Sequence, residues 1–69
     1  MSDFKFVTLE HLHELLEKWE KNKKNSERKQ YLAFDIFTRT FLAVDNRTQD
    51  FFIEEFKTHD EAVKWLLED

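Results

Sequence analysis

The chain has no cysteine, no glycine and no proline, and each absence removes a class of chemistry. Without cysteine there is no disulfide, no thiol nucleophile and no thiolate metal site. A domain of 69 residues buries only about 60% of the surface its unfolded chain exposes. No disulfide can supplement so small a core, which leaves packing, a metal or oligomerisation to do so. A reducing, cytoplasmic setting is the expectation. Without glycine there is no P-loop, no dinucleotide fingerprint and no glycine-built oxyanion loop. Phosphate-binding enzymes are not expected, and every turn must be made by Asn, Asp, Thr, Arg or Gln.

Long apolar runs are also lacking. No stretch approaches the roughly 18 residues of a membrane helix, so no membrane partner is expected. The opening Met1-Ser2-Asp3-Phe4-Lys5 lacks the basic start and apolar run of a signal peptide. Charge is unevenly spread. Residues 1–30 carry seven basic and six acidic side chains, and residues 31–69 carry four and nine, for a net charge of −4. A direct nucleic-acid binder usually shows the opposite balance.

What the chain has in quantity is phenylalanine. Six of its eight, Phe34, Phe37, Phe41, Phe51, Phe52 and Phe56, fall within one stretch. Around them the pattern predicts one domain over residues 1–69. Residues 1–7 form an arm or short strand, with Phe4 and Phe6 on one side. Thr8 is an N-cap, and Leu9, Leu12, Leu15, Leu16 and Trp19 recur at helical spacing over 9–23. The opposite side of that helix carries Glu10, Glu14, Glu17 and Glu20. A basic linker without apolar residues covers 24–30. Three strands follow within 31–56: Tyr31 to Phe37, Thr40 to Asp45 and Asp50 to Phe56. Thr58-His59-Asp60-Glu61 is a capping box that opens a helix over 59–68, with Ala62, Val63, Leu66 and Leu67 as its buried stripe.

The expected fold is thus α+β: a two-layer α-β-β-β-α sandwich with a three-stranded antiparallel meander and both helices on one face. A first loop of three residues sets Phe37 opposite Phe41, Ile36 opposite Leu42 and Phe34 opposite Val44. Leu32, Phe34, Ile36, Leu42 and Val44 then form the core face. Tyr31, Ala33, Asp35, Phe37, Phe41 and Ala43 take the other. A second loop over 46–49 sends Phe51 and Ile53 to the core face and Phe52, Glu54 and Phe56 to the outer one. A bulge in that loop exchanges the two sets. Asn46 is the residue expected at positive φ, in place of the missing glycine.

The outer face then presents Tyr31, Phe37, Phe41, Phe52 and Phe56, an aromatic patch of the kind that marks an interface with a protein partner or a second copy. The competing arrangement folds the arm with Phe4 and Phe6 over this face. The carboxylates Asp35, Asp45, Asp50, Glu54 and Glu55 form a possible acidic surface, which supports an alternative: a nucleic-acid-linked regulator that mimics DNA charge or binds nucleic acid weakly. No catalytic residue, metal ligand or cofactor site is expected. His11 and His13 point apart on the helix, His13 with Glu17 reads as a solvated pair, and the carboxylates have no cleft.

Two resemblances bear on origin. Residues 56–66, from the strand-ending Phe56 through the capping box to Leu66, are similar to the strand-to-helix junction of the three-stranded arm-binding domains of phage integrases. The sheet has Arg39 and Arg47 but lacks the other basic residues those domains use. Residues 41–67, through Phe41-Leu42-Ala43-Val44-Asp45, Phe51-Phe52-Ile53-Glu54-Glu55-Phe56 and Trp65-Leu66, resemble uncharacterised small proteins of phages and prophages of Gram-positive bacteria. Gln49 stands where that pattern has Gly. The resemblance implies origin in a mobile element and no particular activity. The chain is accordingly expected to be a non-enzymatic, cytoplasmic interaction or regulatory module.

Overall fold

Thr8 does cap the first helix, its hydroxyl accepting from the backbone N–H of His11 at 3.1 Å. The computed structural model describes residues 4–22, 24 and 26–68. Along them run β1 (Phe4–Phe6), α1 (Leu9–Lys21), β2 (Gln30–Asp35), β3 (Thr40–Asp45), β4 (Phe52–Phe56) and α2 (His59–Leu67). The α+β class is as expected, with a mixed sheet of four strands in the order β1-β2-β3-β4 and two helices. Helix α1 ends at Lys21, with Asn22 as its C-cap; residue 23 and residues 1–3 lie outside the described set. At α2 the Thr58 hydroxyl accepts from Glu61 N–H at 3.2 Å and donates to the Glu61 carboxylate at 2.9 Å.

The strand count exceeds the expected three because the arm is a true strand. Phe4, Lys5 and Phe6 lie parallel to Gln30, Tyr31 and Leu32, and Val7 N–H continues the ladder to the Leu32 carbonyl at 2.9 Å. A parallel pair needs a long crossover, which α1 and the linker after it supply.

The β2–β3 register also differs from expectation. Phe34 pairs with Phe41 and Asp35 with Thr40, so the connection is the four-residue turn 36–39. The cause is Asp35, whose carboxylate accepts from the backbone N–H of Phe37 at 2.9 Å and of Thr38 at 3.4 Å. That side-chain turn stops the strand at Asp35. The change reverses which residues share a face. Tyr31 and Ala33 now lie with Leu42 and Val44, and Leu32 and Phe34 lie with Phe41 and Ala43. The β3–β4 relation keeps the expected parity: Ile53 sits opposite Val44 and Phe52 opposite Asp45.

The helices consequently cover opposite faces, not one. On the first face Leu12 and Trp19 of α1 bury against Tyr31, Ala33 and Val44, with Val7, Leu15, Leu16, Leu42 and Phe51 around them. On the second, Ala62 and Leu66 of α2 bury against Leu32 and Ala43, with Phe4, Phe41, Phe56, Val63 and Trp65 around them. Neighbours Tyr31, Leu32 and Ala33 are all buried, although alternation sends them to different sides. The physical reason is that both faces of the two central strands are apolar, so each needs its own helix. Gln30 ties the second layer down, its buried side-chain amide donating to the Leu66 carbonyl at 2.6 Å.

The linker is not simply solvated. Buried Asn46 accepts the Phe51 N–H at 3.2 Å and donates to the Glu27 carbonyl at 2.7 Å, and its own N–H reaches the Lys29 carbonyl at 3.0 Å. Gln49 donates to the carbonyls of Lys24 and Ser26, each at 3.1 Å. Gln49 and Arg39, rather than Asn46, occupy the left-handed region, at φ 67° and 58°. For non-glycine residues that conformation costs roughly 1–2 kcal/mol each. At Gln49 the two side-chain bonds to the linker offset it.

Candidate functional site

With a helix on each face, the described residues form no open aromatic face, and those assigned to it disperse. Tyr31 is 3% exposed. Its ring meets Trp19 at 5.5 Å, and its hydroxyl donates to the Glu27 carboxylate at 3.1 Å. Burial, with the adjacent Glu27 carboxylate, pushes the phenol up to about 12. Tyr31 is therefore core rather than rim. Phe41 packs on Phe34 at 4.8 Å under the edge of His59 at 5.7 Å, and Phe56 packs on Trp65 at 6.0 Å. Phe52 is exposed in a shallow hollow with Asp45, Arg47 and Trp65. Among the described residues, Phe37 is the most exposed large apolar side chain, at 88%.

The five carboxylates do not form one acidic surface. Asp35 holds its turn. Asp45 accepts Arg47 through both oxygens, at 2.7 Å to Nη2 and 3.0 Å to Nε. These hydrogen bonds hold its carboxyl below the usual range. Glu54 lies beside Ala43 and Glu55 beside Leu42, on opposite faces of the edge strand, and Asp50 is exposed in the preceding loop. Glu27 is likewise held below its ordinary range, by hydrogen bonds from Lys29 and Tyr31.

What the fold does assemble is a groove at the end of the sheet where β1 passes into α1. The four-residue turn lifts Ile36 and Phe37 clear of the core, leaving Ile36 69% exposed where burial was expected. Across from them stands Phe6, 60% exposed. These three, with Val7, Leu9 and Phe34, form an apolar floor. One bank is the α1 surface carrying Glu10, His13, Glu14 and Glu17. The groove is open to solvent and offers a volume of about 880 Å³. Of the residues expected at the interface, only Phe37 lies here. Ile36 was missed because it was placed by a register one turn residue too short, and Phe6 because nothing local to the arm pairs it with β2. The available signal was Asp35, a residue that favours the first position of a turn.

Among the described residues, no group of three or more metal-ligating side chains is placed to hold an ion, and no helix is long and apolar enough to cross a membrane. Comparison with protein-family models, with curated proteins and with solved structures gives no match.

Proposed function

We propose that the chain is a non-enzymatic protein-interaction module that docks a segment of a partner protein in the groove between the β2–β3 turn and α1. The observation that carries this reading is the turn itself. Two of its four residues, Ile36 and Phe37, are large, apolar and exposed, in a position where folding alone favours polar side chains. A local rule broken without a packing gain is the expected mark of a functional surface. Phe6 extends the same apolar surface across the groove, and contiguous exposed apolar patches usually mark interfaces. Phe37 is the anchor, Ile36 and Phe6 flank it, and Phe34 forms the floor. A cytoplasmic setting fits the absence of cysteine. Origin in a mobile element rests on the resemblance over residues 41–67.

The test is selection of binders from a random-peptide display library, followed by titration on the wild-type chain and on Phe37→Asp. Loss of a buried aromatic anchor costs about 2 kcal/mol or more, so selected peptides should bind the variant roughly thirtyfold more weakly. Thermal unfolding of the variant should be unchanged, because Phe37 is not packed. If no peptide is selected, or if the selected peptides bind Phe37→Asp equally well, the groove is not a docking site.

A further inference from the structure

We infer that the segment this groove accepts is basic: apolar side chains fill the floor, and lysines or arginines face Glu10, Glu14 and Glu17. The inference rests on the groove being the docking site. Among the described residues, the groove's lining holds three glutamates and His13 but no lysine or arginine. The glutamates stand at i, i+4 and i+7 on α1, a single stripe that runs about 10 Å along the helix axis. Glu10 lies in the first turn, where the helix dipole alone accounts for an acidic residue. Glu14 and Glu17 lie beyond the reach of that effect. Glu14 meets the imidazole of His11 only at the long distance of 4.0 Å. Lys18 and Lys21, the helical partners one turn on, do not line the groove. Three like charges along one bank of an apolar trough focus a negative potential on its occupant, and complementary charge then selects the partner and speeds its arrival.

The same field disfavours nucleic acid and acidic segments here. A second copy of the chain is also a poor occupant. Its basic segment, residues 20–30, contains no apolar residue, so it brings charge without an anchor for the floor.

The experiment uses three synthetic amphipathic peptides with one shared set of apolar residues and lysine, glutamine or glutamate at the flanking positions. Each is titrated by fluorescence anisotropy, at low and at raised salt, onto the wild-type chain and onto the triple variant Glu10→Gln, Glu14→Gln, Glu17→Gln. On the wild type the lysine peptide should bind about tenfold more tightly than the glutamate peptide, the sum expected of three exposed ion pairs. That advantage should shrink with salt and disappear on the triple variant, while the glutamine peptide binds both proteins alike. Equal binding of all three peptides to the wild type overturns the inference and leaves the docking groove standing. So does a lysine advantage that survives in the triple variant. If no peptide binds, the docking reading falls and the inference falls with it. If the protein alone is a dimer that Phe37→Asp dissociates, the occupant is a second copy and the inference is wrong.

Discussion

Tyr31 is the chain's one tyrosine, so its titration reports on the central strand without interference from another phenol. It also separates two arrangements of the sheet. With both helices on one face Tyr31 is an exposed rim residue, and it should ionise near 10 like a free phenol. With α1 over it, the ring is buried against Trp19 and the hydroxyl faces the Glu27 carboxylate, which raises its ionisation to about 12. A displacement of that size favours the neutral phenol by on the order of 3 kcal/mol. The folded-state value lies above the unfolded one. The corresponding stability is therefore complete below about pH 10 and is lost as pH rises from 10 towards 12. In an absorbance titration the tyrosinate band should stay flat through pH 10 and then rise steeply, together with loss of the near-ultraviolet circular dichroism of the packed aromatics. In concentrated urea the same band should rise at about 10. A smooth titration centred at 10 in the folded protein, with the dichroism intact, would falsify the placement of α1 over Tyr31.

Three further substitutions test the same architecture by urea denaturation. Leu32→Ala empties a fully buried site beneath α2 and should cost about 2–5 kcal/mol, whereas Ile36→Ala, in the exposed turn, should cost less than about 0.5 kcal/mol; comparable losses would mean that Ile36 is core. Asn46→Ala removes the side chain that joins Glu27 to Phe51 and should cost about 2 kcal/mol, since two part-buried hydrogen bonds of about 1 kcal/mol each are lost. Amide exchange in residues 26–30 should rise with it, and unchanged exchange there would show that the linker is held by something else.

Local signals were legible in the sequence. The Thr8 cap, the capping box at Thr58 and the helical spacing of Leu9 to Trp19 each act within a few residues, so each helix began where its cap stood. The strand Thr40–Asp45 was likewise bounded by its own loops. Which residues share a face was not local, because a strand's period of two turns one extra loop residue into a complete reversal. That extra residue came from the Asp35 turn. The runs Tyr31-Leu32-Ala33-Phe34 and Phe41-Leu42-Ala43-Val44 did carry a hint of it. An apolar run without alternation is the pattern of a strand buried on both sides.

The candidate site divides the same way. Its chemistry is present in the sequence as exposed-type glutamates on one helix and a surplus of phenylalanine. Its location is not, since Ile36 is remote in the chain from Phe6 and Glu14 and meets them only when β1 pairs with β2. The sequence by itself determined the α+β class, the helix starts, the absence of thiol and glycine-loop chemistry, and the acidic flank of α1. Only the tertiary structure decided that a helix covers each face, that Tyr31 is core, and that Phe37 opens a groove. Propensity, capping and composition act over a few residues, whereas register and layering depend on which distant surfaces exclude water from each other.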